Sequence, residues 1–364
     1  MGQNMRIKKF IDVFIPTTAC NLQCHYCYIS LLKNRGTAIA KFSHTLLEMS
    51  AALSRKRLGG ICMFNLCAGG ETLLSNDVLP LAKALCEEGH YVMLVTNGTI
   101  EKRIAELELW EIELRNHLFF KVSLHYLELR RLGLLKQFAE NVKKIRELGY
   151  SFTIEITPTD ELVPFKEELK KYCLDNFGAL SHCTIARDDR KNGIDILSKS
   201  EEKYIEEWRE FDSDLFEYKL RLYKQKRKEY CYAGAWSYYL NIETGEVRQC
   251  YCGEIIDNIY VDVKKPLREM PIGKHCSMAY CYNGHAFIAF GNIPYLDNIL
   301  YAQLRDRKTI DRENWLVPQM RKAMECKLVD NNKEYRKSEK IRNEIVLLIF
   351  RGIHVVHRKL KRML

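Results

Sequence analysis

Cys20-Asn21-Leu22-Gln23-Cys24-His25-Tyr26-Cys27 places three thiols within eight residues, directly after the apolar run 11–15. Structural zinc sites usually close with four protein ligands, and disulfide frameworks need pairs. A compact trio therefore points to a metal centre that keeps one position open for something other than protein. An iron-sulfur cluster held by thiolates meets that demand; a zinc knuckle is the alternative.

The spacing C-x3-C-x2-C, with the aromatic Tyr26 before the last Cys, resembles the signature of the radical S-adenosylmethionine superfamily. The resemblance implies that Cys20, Cys24 and Cys27 hold three irons of a [4Fe-4S] cluster. It also implies that S-adenosylmethionine chelates the fourth iron and that Tyr26 neighbours the adenine.

Outward from this loop, the first two hundred residues alternate short apolar runs with longer amphipathic stretches. Candidate strands are 10–16, 61–67, 91–96, 119–124, 152–157 and 183–186, rich in β-branched and aromatic residues. Candidate helices are 43–57, 78–88, 100–114, 127–148 and 161–177, several ending at Gly. Strands separated by helices predict an α/β fold with a parallel sheet, a pattern shared by open doubly wound sheets and by barrels. The resemblance selects a partial (β/α)6 TIM-like barrel, with the cluster loop after the first strand and the site at the strands' C-terminal ends.

Each strand end carries polar residues that such a site could use. The second strand runs into Gly69-Gly70-Glu71, where paired glycines let backbone approach a ligand and Glu71 supplies a carboxylate. This resembles the family's GGE motif, which implies a seat for the S-adenosylmethionine ammonium. Asn97 follows the third strand in an Asn-Gly turn, and Ser123 ends the fourth. By resemblance Ser123 is the ribose contact, with His125 standing where the family more often has Asp. Arg187, beyond the sixth strand, is a candidate fork for the S-adenosylmethionine carboxylate.

Residues 201–230 are charge-dense and helical in composition, ending Lys224-Gln225-Lys226-Arg227-Lys228, and predict a linker with a solvated face rather than a nucleic-acid patch. A second cysteine series follows: Cys231, Cys250, Cys252, Cys276 and Cys281. Residues 238–243 and 246–248 predict a hairpin about Thr244-Gly245 that would gather the flanking thiols. The spacing C-x13-G-x4-C resembles the opening of the auxiliary-cluster domains, SPASM or the shorter twitch form; its continuation is incomplete. The resemblance implies one auxiliary [4Fe-4S] cluster on Cys231, Cys250, Cys276 and Cys281. Cys252 is then spare, as an alternative ligand or a hydrogen-atom donor. Zinc in a β-ribbon is the alternative for this module. Cys62, Cys67, Cys86, Cys173 and Cys183 are expected as structural thiols. His285, in the Gly-rich aromatic segment after Cys281, is a catalytic candidate or a packed core residue.

The last stretch, 331–364, holds ten Lys and Arg against three Glu, which is seven of the chain's ten net positive charges. Ile341, Ile345, Leu348, Val355, Val356, Leu360 and Leu364 recur at helical spacing among them, predicting a cationic amphipathic helix for a membrane surface, a partner or the chain's own barrel. The expected division is a barrel over 1–200, a linker over 201–230, a smaller Cys-rich module over 231–330 and a basic helix over 331–364. Fourteen cysteines with no secretory segment, and no apolar window long enough for a bilayer, predict reduced thiols in the cytoplasm, with the membrane surface as a second location.

The expected function is generation of a 5′-deoxyadenosyl radical and hydrogen abstraction from a substrate C–H bond in peptide or protein modification. A carbohydrate or small-alcohol substrate undergoing dehydrogenation or epimerisation is the alternative, and a non-catalytic iron-sulfur sensor is a third class. An electron donor such as flavodoxin or ferredoxin is the implied partner.

Overall fold

The computed structural model describes residues 6–190 and 194–363, with side chains through residue 352. Six parallel strands lie in sequence order in one sheet: β1 (Ile7–Ile15), β2 (Ile61–Ala68), β3 (Tyr91–Thr96), β4 (Leu118–Ser123), β5 (Ser151–Ile156) and β6 (His182–Cys183). Right-handed crossovers in unbroken order put every intervening helix on the same face of the sheet. That is the arrangement of a barrel laid open, and it agrees with an α/β fold of the partial-barrel kind.

The two faces divide the side chains by the period of two. On the helix side, Val13, Leu66, Leu94, Val122 and Ile154 belong to one apolar core. On the other side, Phe10, Met63, Tyr91, Met93 and Phe119 pack against Phe287, Phe290, Tyr301 and Met320 from the last third of the chain. Further along the same strands the inner face turns polar, with Asp12 opposite Asn65, Lys121 opposite Thr153, and Glu155 opposite both Ser123 and His182. The inner face is thus plugged at the strands' N-terminal ends and polar towards their C-terminal ends.

Four expected helices are broken; 100–114 divides into Glu101–Glu106 and Ile112–Arg115, with the 3-10 turn Leu107–Leu109 and an extended Trp110 between them. The stretch 127–148 divides into Tyr126–Arg131 and Leu135–Glu147 because Gly133 takes φ +70 between them. Pro164 confines residues Asp160–Phe165 to a 3-10 turn before the helix Lys166–Phe177. The stretch 43–57 yields Leu46–Ala52, entered through a Thr45–Glu48 capping box, and then Arg55–Leu58.

The stretch expected as a solvated linker contains two helices, Glu201–Arg209 and Asp214–Leu222, that bury Tyr204, Trp208, Leu215, Phe216 and Tyr218. Their charges lie on the outer faces and their aromatics in the two cores, so the charge density of this segment conceals a packed helical pair. Beyond β6, β7 (Arg187–Asp188) and β8 (Asp195–Ile196) form a small antiparallel ribbon. The predicted hairpin is present as β9 (Ser237–Asn241) and β10 (Glu246–Arg248), turning at Gly245 with φ +74, and β11 (Ile255–Asn258) pairs with β10. β9 also pairs in parallel with β1 from Phe10 to Phe14, making one nine-stranded sheet.

The C-terminal helix Lys337–Met363 lies against the 270s. Leu347 is fully buried, and Asn343 donates to the Pro271 carbonyl at 3.0 Å. Val355, Val356, Leu360 and Leu364 lie outside the residues whose side chains are described.

Candidate active site

The chain leaves β1 at Ile15 and crosses the end of the sheet before Cys20. Two backbone bonds pin this crossing to the Gly-Gly-Glu turn after β2: Gly70 N–H to Thr17 carbonyl at 2.7 Å, and Glu71 N–H to Ala19 carbonyl at 2.9 Å. The approach is so close that a Cβ on Gly70 would stand 1.9 Å from the Ala19 oxygen, whereas one on Gly69 would meet nothing nearer than 3.4 Å. Only glycine permits the contact at position 70.

Glu71 is almost wholly buried, and its carboxylate accepts three hydrogen bonds: from Leu73 N–H at 2.9 Å, the Thr96 hydroxyl at 2.6 Å and Asn97 N–H at 2.7 Å. It therefore ties the end of β2 to the end of β3 while still facing the cavity. Burial pushes its pKa upward against those bonds. Asn97 continues the tie, donating to Asn21 Oδ1 at 2.8 Å and accepting from the Thr99 hydroxyl at 2.6 Å, while Asn21 donates back to Thr99 at 2.7 Å. On the far side, Gln23 N–H donates to Glu128 at 2.8 Å, and Arg131 forks onto the same carboxylate. Arg35 closes the loop from outside by donating to the Cys20 and Leu22 carbonyls. A segment without secondary structure is thus fixed from β2, β3 and the helix after β4.

Cys20, Cys24 and Cys27 line one cavity of about 110 Å³, shared with Gly69, Gly70 and Glu71 and with Asn97 and Ser123. Burial raises the Cys20 pKa and carries Cys24 to about 12. The Arg35 guanidinium only partly offsets burial at Cys20, so the ionised ligand form calls for metal charge beside it. The donor set fits a [4Fe-4S] cluster: three thiols on one braced loop, facing one cavity, with a buried carboxylate and polar strand ends across from them.

Tyr26 reaches the wall of this cavity through a neighbour. Its hydroxyl is hydrogen-bonded to His125 Nδ1 at 2.7 Å, and it is His125 that borders the cavity. Burial holds His125 neutral, with a pKa near 4. Cys67, expected as a structural thiol, also lines the cavity from β2, with its pKa raised by burial to about 12. Its position on the inner face, two residues beyond Asn65, would have revealed it once the strand's facing was known.

The second cysteine series converges at the far end of the hairpin. Cys250 and Cys252 approach to 3.3 Å between sulfurs, Cys231 is an electrostatic neighbour of Cys276 and Cys252, and Cys281 of Cys231, Cys276 and Cys252. Cys252 stands within this group and lines neither cavity, while Cys326 lies elsewhere, its thiol donating to the Lys322 carbonyl at 3.5 Å. Arg187 pairs with Asp189 at 3.2 Å and lies over the Tyr28 ring at 5.3 Å, bordering a second cavity rather than the first. His285 faces that second cavity, buried and with Nδ1 unpartnered among the described residues.

Between the two cavities lies a group of charges that sequence motifs do not announce. Lys121 pairs with Glu155 at 3.4 Å, Arg305 pairs with the same carboxylate, and Asp12 accepts from Asn65 at 2.7 Å. Opposing cations hold the Glu155 pKa down to about 2 against its burial, the largest single influence. The available signal was a lone charge inside β4 and β5, Lys121 and Glu155, and Asp12 within the apolar second half of β1.

Residues 14–162 match the model of the Radical SAM superfamily. Two curated relatives match over shorter stretches. One, from Methanocaldococcus jannaschii and provisionally named a glycyl-radical enzyme activating enzyme, is 32% identical over 103 residues, 28% of this chain and 38% of that protein. The other, the 7-carboxy-7-deazaguanine synthase of Thermoplasma acidophilum, is 30% identical over 91 residues, 25% of this chain and 39% of that protein. The matches thus span less than two fifths of either relative. Among solved structures, SuiB of Streptococcus suis bound to the precursor peptide SuiA is similar with a TM-score of 0.48 and 15% identity, over 70% of this chain and 63% of that one. The anSMEcpe structure with AdoMet and the Cp18Cys peptide gives 0.49 and 16%, over 96% and 99%.

Proposed function

We propose that this chain is a radical S-adenosylmethionine enzyme that abstracts hydrogen from a C–H bond in the course of peptide or protein modification. The observation that carries the reading is the three-thiol loop, fastened to the Gly69-Gly70-Glu71 turn and opening on one cavity. Cys20, Cys24 and Cys27 would hold the cluster. Glu71 and the backbone of Gly69 and Gly70 would receive the ammonium of S-adenosylmethionine; Ser123, Asn97 and His125 are the polar groups left for its ribose and adenine. When bound, the cluster and S-adenosylmethionine supply a 5′-deoxyadenosyl radical that takes hydrogen from an unactivated carbon. The inner face of the sheet orients the substrate and, plugged by Phe287, Phe290 and Met320, keeps water from entering at its base.

The module over 231–330 is assigned one auxiliary cluster on Cys231, Cys250, Cys276 and Cys281, with Cys252 spare. Its partnership with the three-thiol loop is what favours peptide substrates, and a flavodoxin or ferredoxin would deliver the electron. Anaerobic reconstitution with iron and sulfide, followed by S-adenosylmethionine and dithionite, is expected to release methionine and 5′-deoxyadenosine. A fully loaded protein that releases neither under several reductants would be a binding protein instead.

The C-terminal helix is assigned to an anionic membrane surface. Leu347 and Asn343 pack it against the protein, while Ile341, Ile345 and Leu348 are each more than half exposed among basic residues. Changing those three to Glu should leave the melting temperature unchanged and weaken binding to phosphatidylserine vesicles at least about tenfold, in a salt-sensitive manner. Equal binding by both proteins would return the stripe to a protein partner.

A further inference from the structure

Behind the cluster cavity, the inner face leads to a second cavity of about 20 Å³, bordered by Arg187, Lys219, His285, Tyr280, Tyr282 and Cys281. A space of that size holds one or two water-sized groups, so it admits the end of a ligand and excludes a ring. His285 is 8% exposed, with Nδ1 left without a hydrogen-bond partner. The Lys219 ammonium donates to the Thr184 hydroxyl.

The charges around this space do not balance. The ion pairs place Glu155 on Lys121 and Arg305, and Asp189 on Arg187. Among the described residues none falls on Lys219. Burial depresses the Lys219 pKa; Glu155 opposes that, and Lys121, Arg187 and Arg305 add to it. After burial, the influences on His285 are Lys219, Arg305, Lys121 and Arg187, all cations. A buried ammonium without a counter-charge is costly, and a carboxylate beside it relieves the cost with charge-assisted hydrogen bonds.

We propose that this cavity is a carboxylate subsite in which Lys219, Arg187 and His285 receive the carboxylate of the substrate, an Asp or Glu side chain or a peptide C-terminus. It rests on the proposed function in that the rest of such a substrate would lie on the inner face, towards the radical. The amino-acid end of S-adenosylmethionine carries the same group, and the test separates the two sources.

Holoprotein titrated with 13C-labelled acetate, read by line broadening, is expected to bind at millimolar concentration. The neutral isostere acetamide and the bulkier inorganic phosphate should each bind at least tenfold more weakly. Lys219→Met should weaken acetate at least tenfold, with Lys219→Arg retaining most of it, iron content and melting temperature being compared throughout. Saturating S-adenosylmethionine should leave acetate in place. Acetamide binding as well as acetate, or Lys219→Met binding like the wild type, would overturn the proposal. Displacement by S-adenosylmethionine would overturn its assignment to substrate. Should Lys219→Met fail to fold, the wild-type comparison of acetate, acetamide and phosphate still decides. Acetate binding needs no turnover, so methionine release measured on the same sample tests the proposed function separately.

Discussion

Gly70→Ala is expected to abolish methionine release as completely as replacing Cys20, Cys24 and Cys27 together, although it removes no ligand. Its Cβ would stand 1.9 Å from the Ala19 oxygen, and relieving that contact requires backbone on one side to move by more than about 1 Å. The two bonds that pin residues 17–19 to the turn would then be lost, and the cysteine loop beyond them would be displaced. Misplacement by about 1 Å at a reacting centre costs on the order of 10²-fold, and a ligand loop that fails to assemble its metal loses the remainder. Gly69→Ala is the internal control, since its Cβ would meet the Thr17 oxygen at an ordinary 3.4 Å. It should keep most of its iron, so iron loading is the readout on which the two variants part. Circular dichroism and melting should place both variants near the wild type, because the loop lies outside the strand core. Wild-type-like methionine release by Gly70→Ala would mean that the loop tolerates displacement and that the contact is not a determinant of the site.

The second large effect is a separation of two activities. Reconstituted protein is expected to hold about eight irons per chain, as two [4Fe-4S] clusters. Cys231→Ala or Cys250→Ala should lower this to about four and abolish product, while 5′-deoxyadenosine still forms at the other cluster. The neighbouring Cys252→Ala should keep the iron count. Its sulfur lies 3.3 Å from that of Cys250, so a fall to about four irons would instead place Cys252 in the ligand set. About four irons with one tightly held zinc would make the module structural. It would remove the electron-accepting role that a second cluster could play in oxidising a substrate radical.

The strands were readable because a parallel sheet covered on both faces is written as compact apolar runs, and β2 and β3 are examples. The breaks at Gly133 and Pro164 were visible as residues, though not as interruptions, since amphipathic spacing continues across them. The packed pair Glu201–Arg209 and Asp214–Leu222 was hidden by its own outer faces. Lys203, Glu206, Glu207 and Arg209 outnumber Tyr204 and Trp208 without weakening what those two bury.

At the site, the ligand spacing and the Gly-Gly-Glu turn were local and therefore legible. The pairing of Tyr26 with His125 at the cavity wall, and the convergence of Lys121, Glu155, Lys219, His285 and Arg305, depend on register and on segments 150 residues apart between Glu155 and Arg305. Nothing in linear order announces such a meeting. Only a solitary charge in an apolar strand hints at one.

β9 is hydrogen-bonded to β1 along Phe10–Phe14, so the strand that leads to the three-thiol loop and the hairpin that leads to Cys250 and Cys252 share one sheet. A hinge between a barrel and an appended module would have to tear that pairing, so the separation between the groups is a constant of the fold. An electron passing from one to the other would meet the same gap at every turnover. If both proposed clusters form, the sheet would act as a fixed spacer between them, and any movement that admits substrate would fall to the loops rather than to the strands.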